Sequence, residues 1–253
     1  LPDSGTARIV GLDVRRDAKM IRGRVGYVPG RFSLYQDLSV EENLEFFATV
    51  FGTTVAANRH LVEAVYAPLE PFRKRRAGAL SGGMKQKLAL SCALIHRPAV
   101  LLLDEPTTGV DPVSRRDFWE ILGDIARQGI AVLVSTPYMD EASLCRTVTL
   151  VDGGRVLRTA TPAQIVASFP LPLWSARSSR MHRLLLDLRT DEDVGSAFAF
   201  GDSHHATPRE PGADMDTVAR RLRGKGHPDL VLEPAVAGIE DCFMLLSGRE
   251  DAA

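Results

Sequence analysis

The chain has 253 residues, enough for one large domain with a core, or for a large domain beside a small one. It is 45% hydrophobic and 25% charged, ordinary for a globular protein, and its 31 basic and 32 acidic residues leave a formal net charge of -1. That balance gives no bulk-charge reason to expect a nucleic-acid partner. No apolar run approaches the ~18 residues needed to span a bilayer, and Leu1-Pro2-Asp3-Ser4-Gly5 reads as a turn rather than a secretory signal. Cys92, Cys145 and Cys242 are scattered and odd in number, so they read as small buried hydrophobes, not as a disulfide framework or metal site.

In chain order, residues 8–11 and 25–28 read as short strands, the second stopped by Pro29. From Ser39 to Phe51 the pattern is helical: Ser39 caps, Glu42 stands three residues on, and Val40, Leu44 and Phe47 share a face. A helix over residues 58–67 ends before Pro68, and another runs from Gly82 to about His96 with Met84, Leu88, Cys92 and Ile95 on one side. Ala99 to Leu103 is a continuous apolar run, as in a strand buried on both faces of a parallel sheet. Asp111-Pro112 opens a helix with a buried stripe of Phe118, Ile121, Leu122 and Ile125, closed by Gly129. Ile130 to Val134 reads as a second buried strand, and a short helix starts at Tyr138. Asp152-Gly153-Gly154 between 148–151 and 156–157 signals a hairpin. Near Pro170 the composition changes: Leu184 to Leu188 suits a strand, residues 201–213 a loop, and 215–224 and 239–246 helices. The expected fold class is α/β, with a largely parallel sheet over about 1–169 and a small C-terminal appendage over about 170–253.

Two motifs carry chemistry. Val100-Leu-Leu-Leu-Asp104-Glu105-Pro106 delivers two adjacent carboxylates to the carboxyl edge of a parallel sheet, where such folds bind ligands. Adjacent acids repel unless a cation needs them, and phosphoryl transfer supplies that need: one acid holds Mg2+, a second orients or deprotonates the attacking water. The plainer alternative is a strand running into a charged turn. In Leu80-Ser81-Gly82-Gly83-Met84-Lys85-Gln86, two glycines let backbone approach an anion at a helix start, whose N–H groups favour phosphate, and Ser81 adds a hydroxyl. The plainer alternative there is a Ser-capped helix. Asp111 likewise suits a simple N-cap.

Order and spacing decide between them. The chain resembles the ABC ATPase family over residues 1 to about 168. Leu80–Gln86 is similar to the signature motif, Val100–Glu105 to the Walker B strand with its catalytic Glu, and Gly109-Val110-Asp111-Pro112 to the D-loop. Tyr27-Val28-Pro29 resembles the strand into the Q-loop. The stretches Phe32–Tyr35, Asp37–Leu44, Tyr138–Ala142 and Gly238–Phe243 are similar to bacterial drug-efflux exporters, including those with tandem ATPase units. The resemblance implies an ABC-ATPase nucleotide-binding domain with a helical subdomain at about 32–96. It implies ATP and Mg2+ as cofactors, Glu105 as catalytic base, and Asp104 on Mg2+, through water. Ser81, Gly82, Gly83, Gln86 and Asp111 would bind the nucleotide of a second ATPase unit. The partners implied are that unit and an integral membrane permease, at the inner face of the cell membrane; no nucleic acid is implied.

Three departures stand out. No G-x-x-x-x-G-K-[ST] occurs, and Leu1–Gly5 resembles the turn after the Walker A helix, so the P-loop is expected in a segment before residue 1. Gly30 replaces the Q-loop Gln, and Pro137 replaces the switch His after Ser135-Thr136. These favour a catalytically degenerate, regulatory half, whereas Glu105 favours an active enzyme. A soluble ABC protein acting on ribosomes or DNA would need a long coiled coil or a basic insertion, and the chain has neither. The basic runs 73–76 and 220–223 lack interleaved aromatics and read as solvated faces, and His204-His205 as a loop pair without a metal cluster.

Overall fold

Residues 8–11, expected as one strand, turn back on themselves: Arg8–Ile9 (β1) pairs antiparallel with Leu12–Asp13 (β2). Val10 and Gly11 sit at φ 51° and 76°, the left-handed pair that a two-residue hairpin turn requires. The computed structural model describes residues 3–31 and 33–250. Leu1, Pro2 and Phe32 lie outside the described residues, so part of the Leu1–Gly5 turn and the start of the Phe32–Tyr35 stretch do too, as do residues 251–253. The chain divides into two compact units, Leu1–Tyr138 and Met139–Ala253.

In the first unit, helix α1 (Ala18–Arg22) precedes β3 (Val25–Val28). Helix α2 (Val40–Val50) starts in a reciprocal capping box: Ser39 Oγ accepts from Glu42 N–H at 3.2 Å, and Glu42 accepts from Ser39 N–H at 2.7 Å. Its Val40 and Leu44 are buried. Helix α3 (Val55–Tyr66) begins ahead of residue 58 because Thr54 Oγ1 accepts from Ala57 N–H, at 3.2 Å; past Tyr66 the chain tightens into a 3-10 turn around Pro68 and Pro71. Helix α4 (Gly82–Leu94) is buried nearly all round from Leu88 to Leu94, so it is the centre of this unit's core rather than a one-faced helix.

The core sheet is parallel, in the order β3, β4 (Val100–Asp104) and β5 (Ala131–Ser135), with helix α5 (Pro112–Arg127) joining the last two. Val28, Leu103 and Val134 form one cross-strand row, and it packs into the core with α4 and α5. Tyr27, Leu102 and Leu133 form the next row on the opposite face. There Tyr27 is 57% and Leu133 66% exposed. The expectation of burial on both faces is thus corrected for β5, whose Ala131, Leu133 and Ser135 are exposed, whereas no residue of Val100–Leu103 in β4 is exposed.

The second unit opens with α6 (Met139–Ala142) and the hairpin β6 (Val148–Asp152) and β7 (Arg155–Ala160), turned by Gly153 and Gly154 at φ 51° and 78°. Helix α7 (Pro162–Ala167) follows in a Thr161–Gln164 capping box. Next come β8 (Leu173–Arg177), α8 (Met181–Arg189), β9 (Val194–Phe200), β10 (Ser203–Pro208), α9 (Met215–Gly224) and β11 (Val231–Ala235). Their antiparallel sheet has the order β11-β8-β10-β9, the split β-α-β arrangement of ferredoxin-like domains. Helix α10 (Ile239–Glu250) packs Ile239 and Cys242 with Leu150 and Ile165.

Two expectations fail in this unit. Leu184–Leu188 lies within a helix, because Leu184 and Leu188, four residues apart, both face the core while Leu186 is half exposed. Residues 201–213 contain β10, the strand between β8 and β9; its Ser203, His204, Ala206 and Thr207 are buried despite their loop-like composition. Polar partners close the gaps. His227, fully buried, meets Ser178 Oγ at 3.1 Å and Asp187 Oδ2 at 2.9 Å, which holds the Asp187 carboxyl below its usual range. His205 Nδ1 meets Asp241 Oδ1 at 2.6 Å, joining β10 to α10. Leu188→Ala should destabilise this unit by about 2–5 kcal/mol, the cost of a large buried cavity. Urea unfolding checks it; a loss under about 0.5 kcal/mol would return 184–188 to an exposed setting.

Candidate functional site

Asp104 is the last residue of β4, and the parallel register sets Ser135, the last residue of β5, beside it. Ser135 Oγ donates to Asp104 Oδ1 at 2.6 Å. The same hydroxyl accepts from Glu105 N–H at 3.1 Å, and the Ser135 carbonyl accepts from that N–H at 3.0 Å. Glu105 stands at φ 44°, a left-handed conformation rare for a residue with a side chain. Thr108 Oγ1 donates to Glu105 Oε2 at 3.2 Å. One serine and one threonine therefore hold both acids in place, and both acids are exposed at the carboxyl edge of the sheet. The sequence reading missed Ser135 and Thr108. The signal was present: two apolar runs that pair as parallel neighbours end on the same rung at Asp104 and Ser135.

Gly30 joins this cluster. A Cβ added to it would lie 3.0 Å from the Asp104 carbonyl oxygen and 3.7 Å from Glu105 Cβ, so its backbone lies directly against the acid pair. Pro137 is exposed two residues beyond Ser135 and has no side-chain donor to offer. Among the described residues no three His, Cys, Asp or Glu side chains could hold a metal ion.

The second motif forms its own cluster. Ser81 caps α4, its Oγ accepting from Met84 N–H at 3.4 Å, and Ser81 and Gly82 are exposed at the helix start. Gly83 is buried against Ser114, and Gln86 is buried at 8% exposure. Asp111 caps α5: its Oδ1 accepts from Ser114 N–H at 2.9 Å, and that bond, then the Ser114 hydroxyl, holds the Asp111 carboxyl below its usual range. The starts of two helices thus lie together, the first N–H groups of α5 taken up by its own cap, Asp111.

The family pattern described as ABC transporter matches residues 1–108. The Nod factor export ATP-binding protein I of Paraburkholderia xenovorans (strain LB400) is 40% identical over 258 residues, covering 98% of this chain and 81% of that protein. The chain belongs to the ABC transporter ATP-binding family. The probable multidrug ABC transporter ATP-binding protein YbhF of Escherichia coli (strain K12) is 44% identical over 163 residues, but the match spans 64% of this chain and only 28% of that relative. A solved ATP-binding subunit of an ABC transporter superposes with a TM-score of 0.59 at 27% identity, over 66% of this chain and 71% of that one. The α/β fold with a parallel sheet is the one this family shares. Among the described residues no helix is long and apolar enough to cross a membrane.

Proposed function

We propose that the chain is the ATP-binding and ATP-hydrolysing part of an ABC exporter, working as one of two ATPase units on a membrane permease at the cytoplasmic face. The observation that carries the reading is the Asp104-Glu105 pair at the sheet's carboxyl edge, held by Ser135 and Thr108. Residues 1–169 would be the ATPase domain, with its helical subdomain at about 32–96 facing the permease, and 170–253 an accessory region. The export relatives and the absence of a basic or coiled-coil insertion favour transport over action on ribosomes or DNA.

Bound Mg-ATP would supply the phosphoryl group and a metal that neutralises developing charge. Asp104 would hold the metal's water, with Ser135 fixing the carboxylate's orientation. Glu105 would hold the attacking water and accept its proton at a carboxylate oxygen. Thr108 and the Glu105 backbone bonds would keep that carboxylate from swinging away. The Ser81 loop would cap the phosphates held by the second unit. Neither Gly30 nor Pro137 can orient water or phosphate through a side chain, so we infer a site slower than its partner.

Residues 1–253 contain no Gly-rich P-loop, so on this reading they lack the groups that grip the β- and γ-phosphates. Calorimetry on these residues alone should therefore show ATP binding weaker than about 1 mM. Micromolar affinity would overturn this division of labour.

A further inference from the structure

A Cβ built on Gly83 would lie 2.8 Å from both the Cβ and the Oγ of Ser114. That is well inside van der Waals contact, so the first turn of α4 lies directly on the first turn of α5. Neighbouring loop atoms repeat the approach: a Cβ on Gly82 would meet the Gly109 carbonyl oxygen at 3.4 Å. Ser114 therefore touches both loops. Its N–H holds the Asp111 carboxylate at 2.9 Å, and its side chain seats against Gly83.

We propose that Gly83 and Ser114 are a positioning pair that fixes the spacing between the Ser81 loop and the Asp111 loop, so that both loops meet the second ATPase unit as one rigid surface. The proposal rests on the paired-ATPase reading. It gives Gly83 a reason to be glycine that is independent of any phosphate: the neighbour that excludes a side chain is Ser114, within the same chain. Packed interfaces of this kind transmit displacement instead of absorbing it, because interiors are close-packed. A shift of the Ser81 loop would drag Asp111 with it.

The test uses the full-length protein and two readouts: ATP-driven association by sedimentation, and melting without nucleotide. Gly83→Ala should weaken association by about tenfold and lower the melting temperature, the scale of an overpacked contact. Adding Ser114→Gly to Gly83→Ala removes both offending atoms and should restore most of the association. Adding Ser114→Ala removes only the oxygen, leaves the Cβ at 2.8 Å, and should restore little. Gly83→Ala associating like the parent would overturn the proposal, as would equal behaviour of the two double variants. A parent that shows no ATP-driven association overturns the paired-ATPase reading, and the loops' joint role falls with it. The nucleotide-free melting series separates that failure from a failure of the contact itself.

Discussion

Ser81→Arg in the assembled transporter should cut ATP turnover by about 100-fold or more. Ser81 is exposed at the start of α4, where its hydroxyl caps the helix. A guanidinium there fills the approach of a phosphate with a long side chain and removes the cap, so the partner unit cannot close on this loop. Losses of this size are typical when a preorganised electrostatic contact to a transferring group is removed. The companion change is Pro137→His, which returns an imidazole to the end of β5. It should leave turnover unchanged or raise it, because it acts on the site we propose to be the slower of the two. Turnover measured for both variants separates the roles. If Ser81→Arg is tolerated, this loop serves no active site, and the asymmetric pair is wrong.

Glu105→Gln should lower hydrolysis at this unit's own, slower site by about 100-fold, the scale of a lost general base, while ATP binding persists. The amide keeps the side chain's length and can still accept from Thr108, so the fold around Asp104 is undisturbed. It cannot take a proton from water at neutral pH. Because binding and turnover are expected to part company, both are measured on one preparation. Hydrolysis at the parental rate would remove Glu105 from the role of base.

What could be read in the sequence was local. Ser39 and Glu42 announced their capping box because both partners lie within four residues of chain. Asp104-Glu105 stood out because an apolar run that ends in two acids has few other uses. What could not be read depended on neighbours far along the chain. Five consecutive residues from Leu184 to Leu188 carry too little periodicity to separate helix from strand, and the helix is decided by the core into which Leu184 and Leu188 both point. The strand Ser203–Pro208 has a loop's composition, yet pairing on both sides buries it. The Gly83–Ser114 contact joins residues about thirty positions apart, and no local pattern marks such a pair. The exposed Leu133 shows the same limit in reverse, since Ile130–Val134 is apolar enough to suggest burial that helices on one face do not provide.

The backbone of Glu105 has a consequence for engineering. Holding a side-chain-bearing residue at φ 44° costs about 1–2 kcal/mol, a cost glycine would not incur. Thermostability selection that ignores turnover would therefore favour glycine at 105, and, with Glu105 as the base we propose, the fittest clone in such a screen would be a dead one. On the proposed role of Glu105, position 105 is where robustness and chemistry pull against each other, so a stabilised version would find its gains elsewhere and leave that residue under a functional selection.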